Sequence, residues 1–212
     1  MRILVIGASG RVGRQLTHKL LKLGHQVTGT STNRMLSFDS PNYNHLLLDI
    51  TEELPHLKPK ISGDFEAIFF VAGSGEYGLL EIDLHGAVKT MQIAETKGIE
   101  RYIMLSFAFS LEPERWEEEG ESGIADYGIA KHYADEWLLR NTKLNYTILQ
   151  PCTLTETPGT GKIAVNIKHH LNNSIEDVAS TLVEVLDNPS AFKKVITMHH
   201  GNVPIHEAIS SL

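Results

Sequence analysis

Three glycines, spaced three residues apart, follow the first apolar run of this chain in the stretch "MRILVIGASGRVG". Gly7, Gly10 and Gly13 separate a run typical of a buried strand (2–7) from an amphipathic stretch typical of a helix (11–24). Glycine permits a tight exit from the strand, lets a phosphate approach the backbone and allows a helix to pack closely on a sheet. This strand–turn–helix context restricts the fold, because it is typical of parallel α/β sheets.

Apolar runs and helix-period stretches alternate along the rest of the chain, which predicts repeated βα units and a parallel sheet. The predicted strands are 2–7, 25–32, 45–50, 67–73, 101–110, 144–151 and 194–200, and the predicted helices are 11–24, 79–98, 126–141 and 174–187. Gly24 and Gly98 are expected to end helices. Ser174 is the expected cap of the last predicted helix, with Asp177 in its first turn.

Composition excludes several functional classes. The chain is 42% hydrophobic, carries a net charge of −7 and scatters its basic residues, so we expect no nucleic-acid partner. No apolar stretch is long enough for a membrane span, and the N-terminus does not resemble a signal peptide. Cys152 is the only cysteine, and the histidines lack metal-ligand spacing, so we expect neither a disulfide nor a metal site. A cytoplasmic protein is the simplest interpretation.

The glycine turn predicts a dinucleotide site, since the N-terminus of the following helix offers unpaired N–H groups to a pyrophosphate. NAD sites usually carry an acidic residue at the end of the second strand. Here that strand ends with Ser31 and Thr32, Arg34 follows, and Arg11 adds a positive charge inside the glycine turn. Hydroxyl groups and arginines suit a 2′-phosphate, which favours NADP(H) over NAD(H).

Tyr127 and Lys131 lie four residues apart in "YGIAK" and therefore share one face of a predicted helix. An ammonium group near a phenol lowers the pKa of the phenol, which can then donate a proton to a carbonyl as hydride arrives, or remove one in reverse. The acidic stretch 112–121 precedes this helix and is either a solvated loop or a lid beside a site.

In their order, "GASGRVG", "LLLDI", "FFVAG", "YIMLSF", "YGIAK" and "YTILQP" resemble the short-chain dehydrogenase/reductase superfamily. The chain is most similar to the atypical NAD(P)H-binding branch that includes NmrA-like and biliverdin reductase B-like proteins. The resemblance implies a Rossmann-type, doubly wound parallel sheet of about seven strands with helices on both faces. It implies a single NAD(P)-binding domain over 1–212, in which 151–212 contributes a small substrate-side portion.

The resemblance also implies roles for individual residues. The residues implied to hold the pyrophosphate are Gly7, Ser9, Gly10, Arg11, Val12 and Gly13. Asp49 and Ile50 are implied to border the adenine, and Ala72 and Gly73 are implied to line the cofactor ribose. The residues implied to pass beside the nicotinamide are Pro151, Cys152, Thr153 and Leu154. Lys131 is expected on the nicotinamide ribose, and Tyr127 is expected to be the acid. Ser106 is the candidate catalytic hydroxyl, although Phe107 could occupy that position instead, and Ser110 is a further candidate.

We therefore expect an NADP(H)-dependent oxidoreductase acting on a small carbonyl, quinone or flavin-like substrate. A non-catalytic, redox-sensing NAD(P)H-binding protein with a regulatory partner is the main alternative. Epimerase or isomerase chemistry is less favoured, because only residues 151–212 are left for a substrate portion. The sequence leaves the substrate and a homodimeric state open.

Overall fold

The computed structural model describes residues 1–32, 36–75, 77–116 and 125–212. These ranges contain a central sheet of nine strands and a separate pair of strands. The strands are Arg2–Ile6 (β1), Gln26–Ser31 (β2), Tyr43–Leu47 (β3), Ala67–Phe70 (β4), Arg101–Leu105 (β5), Asn145–Pro151 (β6), Thr153–Thr155 (β7), Lys162–Val165 (β8), Asn172–Ser174 (β9), Lys194–His200 (β10) and Val203–Pro204 (β11).

Helices connect most of the parallel strands. They are Arg11–Lys22 (α1), Leu54–Lys60 (α2), Ala87–Lys97 (α3), Ala125–Asn141 (α4), Ile175–Glu184 (α5) and Ile205–Ser210 (α6). A π-helical segment, Leu79–Gly86, runs directly into α3, and short 3₁₀ turns occupy Pro113–Arg115 and Pro189–Ala191. Within the described residues, no helix has both the length and the apolar character needed to cross a bilayer.

The central sheet has the order expected of a doubly wound fold. Neighbouring strands in the series β3-β2-β1-β4-β5-β6-β10 all pair in parallel. Beyond β10, β8 and β11 extend the sheet with antiparallel pairing, while β7 and β9 form the separate parallel pair. The chain winds outward from β1 in two directions, through β2 on one side and β4 on the other. This reversal opens a crevice at the carboxyl ends of these strands.

Both faces of the sheet are covered, as alternate residues of β1 show. Ile3 and Val5 pack in the cluster that includes residues of α1, α5 and α6. Leu4 and Ile6 pack in the cluster that includes residues of α2, α3 and α4. The Rossmann-type sheet with helices on both faces is therefore confirmed, and its parallel part has the predicted seven strands.

The structure confirms the predicted helix ends at Gly24 and Gly98 and the predicted cap at Ser174. Gly24 and Gly98 take the left-handed conformation, with φ of +81° and +69°, after α1 and α3. Ser174 Oγ accepts from the backbone N–H of Asp177 at 3.0 Å and caps α5.

Other boundaries differ from the prediction for physical reasons. The predicted strands 67–73 and 101–110 end at Phe70 and Leu105, and after these ends only single backbone bonds continue to the neighbouring strands, such as those from Val71 N to Ile6 O and from Ser106 N to Leu149 O. The predicted helix 79–98 begins as the π-helical segment. The sequence analysis missed α2, which carries two prolines, and the short elements α6, β7, β8, β9 and β11.

The buried guanidinium of Arg101 links β5 to β6 and to the end of α5. Arg101 is 5% exposed, and its guanidinium donates to the carbonyls of Val185 and Leu186 at the end of α5. It also donates to the Asn145 carbonyl and to Thr147 Oγ1 on β6. Burial lowers the pKa of Arg101 to about 10, so the guanidinium stays charged at neutral pH.

Replacing Arg101 with Met should lower the free energy of unfolding by about 3 kcal/mol, because buried carbonyls lose a charged donor. Urea denaturation of purified protein measures this. Arg2→Met is the matched control, because that side chain is 52% exposed at the start of β1, and it should cost less than about 1 kcal/mol. Equal losses in the two variants would contradict a structural role for the Arg101 bonds.

Candidate functional site

The glycine turn between β1 and α1 has no room for a side chain at two of its glycines, Gly7 and Gly13. Gly7 has a φ of +90°, and a Cβ built on it would lie 2.5 Å from the Ala72 backbone. A Cβ on Gly13 would lie 2.1 Å from the carbonyl oxygen of Gly7, so α1 packs directly on the turn. Gly10 is the N-cap residue of α1 and supplies no side chain there. The first N–H groups of α1 are thus available to an anion at the crevice.

A cleft opens beside this turn, at the carboxyl ends of β1, β2, β3 and β4. Its lining residues are Ile6, Gly7, Ser9, Gly10, Thr30, Ser31, Thr32, Leu48, Asp49, Ile50, Val71, Ala72, Gly73 and Ile82. The cleft lining therefore includes nine of the eighteen cofactor residues expected from the sequence. A dinucleotide fits this site chemically, because backbone N–H groups and a glycine cradle face a cleft with apolar walls.

Other expected cofactor residues are not part of this cleft lining. Val12 is buried in the core, and Arg11 forms an ion pair with Glu156 at 3.2 Å, with both side chains largely exposed. Cys152 is buried, and its backbone N–H donates to Met198 O and to Asn173 Oδ1. Pro151 ends β6, and Thr153 and Leu154 belong to β7. Arg34 lies outside the described residues.

The end of β2 carries hydroxyl groups at the cleft. Ser31 is 6% exposed, and its Oγ is hydrogen-bonded to Nε2 of His45 at 2.9 Å, whereas Thr32 is exposed. The carboxylate in the cleft lining comes from Asp49, which accepts from the Thr51 hydroxyl at 2.7 Å and from its backbone N–H at 2.9 Å. These bonds hold the pKa of Asp49 below its usual value.

Lys131 is buried under the neighbouring part of the site. Its ammonium forms an ion pair with Asp83 at 3.2 Å, in which the two side chains are 3% and 0% exposed, and donates to Leu105 O at 3.3 Å. It lies 5.8 Å from the centre of the Tyr127 ring. Burial lowers the pKa of Lys131, but Tyr127, Asp83 and Asp135 outweigh burial, and the net pKa is raised. Lys131 is therefore an ammonium ion.

The π-helical segment supplies Asp83, which the sequence analysis missed. Asp83 Oδ2 accepts from the backbone N–H of Ser74 at 3.0 Å and from its hydroxyl at 2.6 Å. A Cβ on Gly73 would lie 3.6 Å from Asp83 Oδ1, so this carboxylate lies just behind the cleft wall. No local sequence pattern singles out Asp83, because its position depends on the π-helical geometry.

A second buried carboxylate, Asp135, organises the end of β5. Its Oδ2 accepts from Ser106 Oγ at 2.7 Å, from Ser110 Oγ and from Gln150 Nε2 at 3.2 Å. Ser106 thus uses its one hydroxyl proton on Asp135 in this structure. Its predicted catalytic role stays a prediction, as does that of Ser110. Asp135 follows Lys131 by four residues, so the helical spacing that linked Tyr127 to Lys131 could have identified it.

Aromatic side chains lie next to Tyr127. The Phe107 ring is centred 5.5 Å from that of Tyr127 and 6.1 Å from that of Trp116. Trp116 packs against Gly128, where a Cβ would lie 3.1 Å from the indole, and donates through Nε1 to Phe109 O. These contacts form one wall beside α4. The remainder of the predicted lid, 117–121, lies outside the described residues.

Comparison with known proteins identifies the family. The sequence matches the model of the NAD(P)H-binding family over residues 7–189. The chain is a member of the NAD(P)H-binding family. This confirms the NAD(P)H-binding character that the resemblance implied, and the matched range contains the glycine cradle and every residue of the cleft lining except Ile6.

Three relatives of this NAD(P)H-binding protein match it along nearly their whole length. It is 33% identical to "UPF0659 protein YMR090W" of Saccharomyces cerevisiae, covering 100% of this chain and 99% of the relative. It is 30% identical to "Uncharacterized sugar epimerase YhfK" of Bacillus subtilis, covering 100% of both chains. The crystal structure of the oxidoreductase ylbE from Lactococcus lactis superposes with a TM-score of 0.95 at 39% identity, covering 100% of this chain and 96% of the other.

Stability of this NAD(P)H-binding protein should depend on the ionisation of Asp135. Burial raises the pKa of Asp135 to about 6, although the bonds from Ser110 and Ser106 and the charge of Lys131 act to lower it. The folded state therefore binds a proton below about pH 6, whereas the unfolded chain does so only near the usual value of 3.8. As the pH falls from 7 to 4.5, this group should stabilise the folded protein by about 2 kcal/mol relative to Asp135→Asn.

Urea denaturation across this pH range gives the free energy of unfolding of wild type and of Asp135→Asn. The predicted effect is a change with pH in the difference between these two values. The substitution by an amide also has a cost that does not depend on pH, and this cost cancels. Thr90→Val is the control, because it removes a buried hydroxyl bonded to Tyr102 and no carboxylate. Its difference from wild type should not change with pH. A pH-independent difference for Asp135→Asn would show that Asp135 does not titrate as described.

Proposed function

We propose that this protein is an NADP(H)-dependent oxidoreductase that transfers hydride to or from a small carbonyl, quinone or flavin-like substrate, with Tyr127 as general acid/base. The observation that carries the proposal is the arrangement of two sites on one edge of the sheet. The glycine cradle and cleft lie at β1 to β4, and the Tyr127–Lys131 pair lies beside them on α4.

In the proposed reaction, different residues of the chain bind the cofactor and transfer the proton. The backbone N–H groups at the start of α1 hold the pyrophosphate, and Ala72 and Gly73 border the ribose. The reduced nicotinamide, when bound, supplies the hydride to the acceptor. The phenol of Tyr127 gives its proton to the acceptor atom that gains electron density, and the phenolate left behind is stabilised by the ammonium of Lys131.

The preference for a 2′-phosphate rests on the end of β2. Ser31 and Thr32 offer hydroxyl groups, and no acidic residue occurs in the sequence between Thr32 and Phe38. A carboxylate in that position would instead accept from a ribose 2′-hydroxyl and repel a phosphate. Arg34 is proposed as the neutralising cation, as the sequence predicts.

Replacing Tyr127 with Phe should lower kcat by about 100-fold or more while changing the affinity for NADPH little, because only the transferable proton is lost. The assay follows loss of nicotinamide absorbance with a panel of quinones, flavins and small aldehydes. Tyr133→Phe is the matched control, since Tyr133 lies on the same helix and is 58% exposed. Undiminished turnover in Tyr127→Phe would exclude the proposed acid.

Replacing Thr32 with Asp should shift the ratio of NADPH to NADH affinity by about 10-fold or more towards NADH, through repulsion of the 2′-phosphate. Titration of nicotinamide fluorescence measures both dissociation constants. Thr96→Asp adds the same charge on an exposed turn of α3 and should leave the ratio unchanged. An unchanged affinity ratio in Thr32→Asp would mean that the end of β2 does not contact the 2′-substituent of the cofactor ribose.

A redox-sensing protein that binds NAD(P)H without turnover is the second candidate. One observation favours it: the Ser106 hydroxyl is committed to Asp135 and gives no free donor for a substrate carbonyl. Tight NADPH binding without turnover by any acceptor in the panel would favour this function. The sugar-epimerase name of the Bacillus subtilis relative suggests a third chemistry, and conversion of a nucleotide sugar with no net change in cofactor would support it.

A further inference from the structure

Lys131 is not an isolated cation beneath Tyr127. Its ammonium contacts the Asp83 carboxylate at 3.2 Å, and Asp135 acts on it from one helical turn further along α4. The other elements packed against it contribute uncharged groups, namely the Phe70 ring of β4 and the Leu105 carbonyl of β5. Among the described residues, the charged groups that act on this ammonium are therefore two carboxylates and the phenol of Tyr127 when it ionises.

Asp83 is held more firmly than an ion pair alone would require. Both donors of Ser74 bind its Oδ2, which leaves Oδ1 directed at Lys131. The side chain has no exposed surface, so its charge is poorly screened. A fixed buried carboxylate at this distance takes up much of the positive potential of the lysine.

We propose that Asp83 is a positioning residue of the Tyr127–Lys131 pair, which fixes the Lys131 ammonium and shares its charge so that Tyr127 keeps its proton until a substrate takes it. This inference rests on the proposed function in one respect, the use of that proton. The electrostatic coupling itself is a property of the protein alone. A lysine without this carboxylate would favour the phenolate more strongly, because Asp83 would no longer offset the ammonium charge that acts on Tyr127 and only Asp135 would remain as a nearby anion.

The coupling can be measured without cofactor or substrate, by following tyrosinate absorbance in the ultraviolet as the pH rises. The signal of Tyr127 is the difference between a protein and its Tyr127→Phe counterpart. Replacing Asp83 with Asn removes the charge but keeps an amide oxygen for the two donors of Ser74. We expect the midpoint of the Tyr127 titration to fall by about one pH unit in Asp83→Asn relative to wild type.

Ser74→Ala is the matched control, because it removes a hydrogen bond from Asp83 and leaves the carboxylate in place. A purely structural role of Asp83 would give similar titrations in Ser74→Ala and Asp83→Asn, and that result would overturn the proposal. An unchanged or raised midpoint in Asp83→Asn would overturn it as well. Asp83→Ser provides a second neutral variant, and failure of both neutral variants to fold would assign the ion pair to structure alone.

Turnover separates this inference from the proposed function. Where wild type reduces an acceptor, the alkaline limb of its pH–rate profile should move down by about one unit in Asp83→Asn and stay in place in Ser74→Ala. Where no acceptor is reduced, the proposed oxidoreductase function fails. The shift in the tyrosinate titration would still show that Asp83 sets the acidity of Tyr127.

Discussion

The close contact between α1 and the glycine turn is the constraint on which the rest of the structure depends. A methyl group on Gly13 would overlap the carbonyl of Gly7, so the helix can reach the sheet only with glycine there. Because α1 then starts directly above the end of β1, its N-terminus opens onto the crevice between β2 and β4. The same contact therefore sets the packing of one layer and the position of the anion-binding edge.

Three ionisable side chains are buried close together beside that edge. Lys131 lies near two carboxylates without exposed surface, Asp83 and Asp135. Full ionisation of all three would leave a net negative charge inside the protein, which is costly in a medium of low polarity. Burial raises the pKa of Asp135, although its hydrogen bonds from Ser110 and Ser106 and the charge of Lys131 act to lower it. Under mildly acidic conditions Asp135 is therefore protonated, and the cluster of Lys131, Asp83 and Asp135 has no net charge.

Much of the fold could be predicted from the sequence because its signals are local. Apolar runs separated by amphipathic stretches predicted the seven parallel strands, and Ser174 predicted the start of α5. The antiparallel strands β8 and β11 could not be predicted, since they are short and depend on the edge that β10 provides. The end of β4 was also predicted too late, because the apolar residues Val71 and Ala72 continue past the strand and line the cleft.

The candidate site divides in the same way. Glycine spacing and the helical spacing of Tyr127 and Lys131 are visible in the sequence, and the structure places them along one edge of the sheet. Asp135 shares that helical spacing and was detectable in principle. Asp83 could not be detected in this way, because the packing of the π-helical segment against α4 brings it to Lys131. The residues next to Asp83 in the sequence give no signal of this contact.

The π-helical segment makes the ion pair sensitive to chain length. Each turn of such a helix holds more residues than an α-helical turn, and removal of one residue usually restores the α-helical form. A one-residue deletion at Leu79 or Leu80 would change the helical register around Asp83 and move its carboxylate relative to Lys131, without altering a residue of the site itself. In this protein, the length of Leu79–Gly86 therefore constrains the ion pair in addition to the identity of the two side chains.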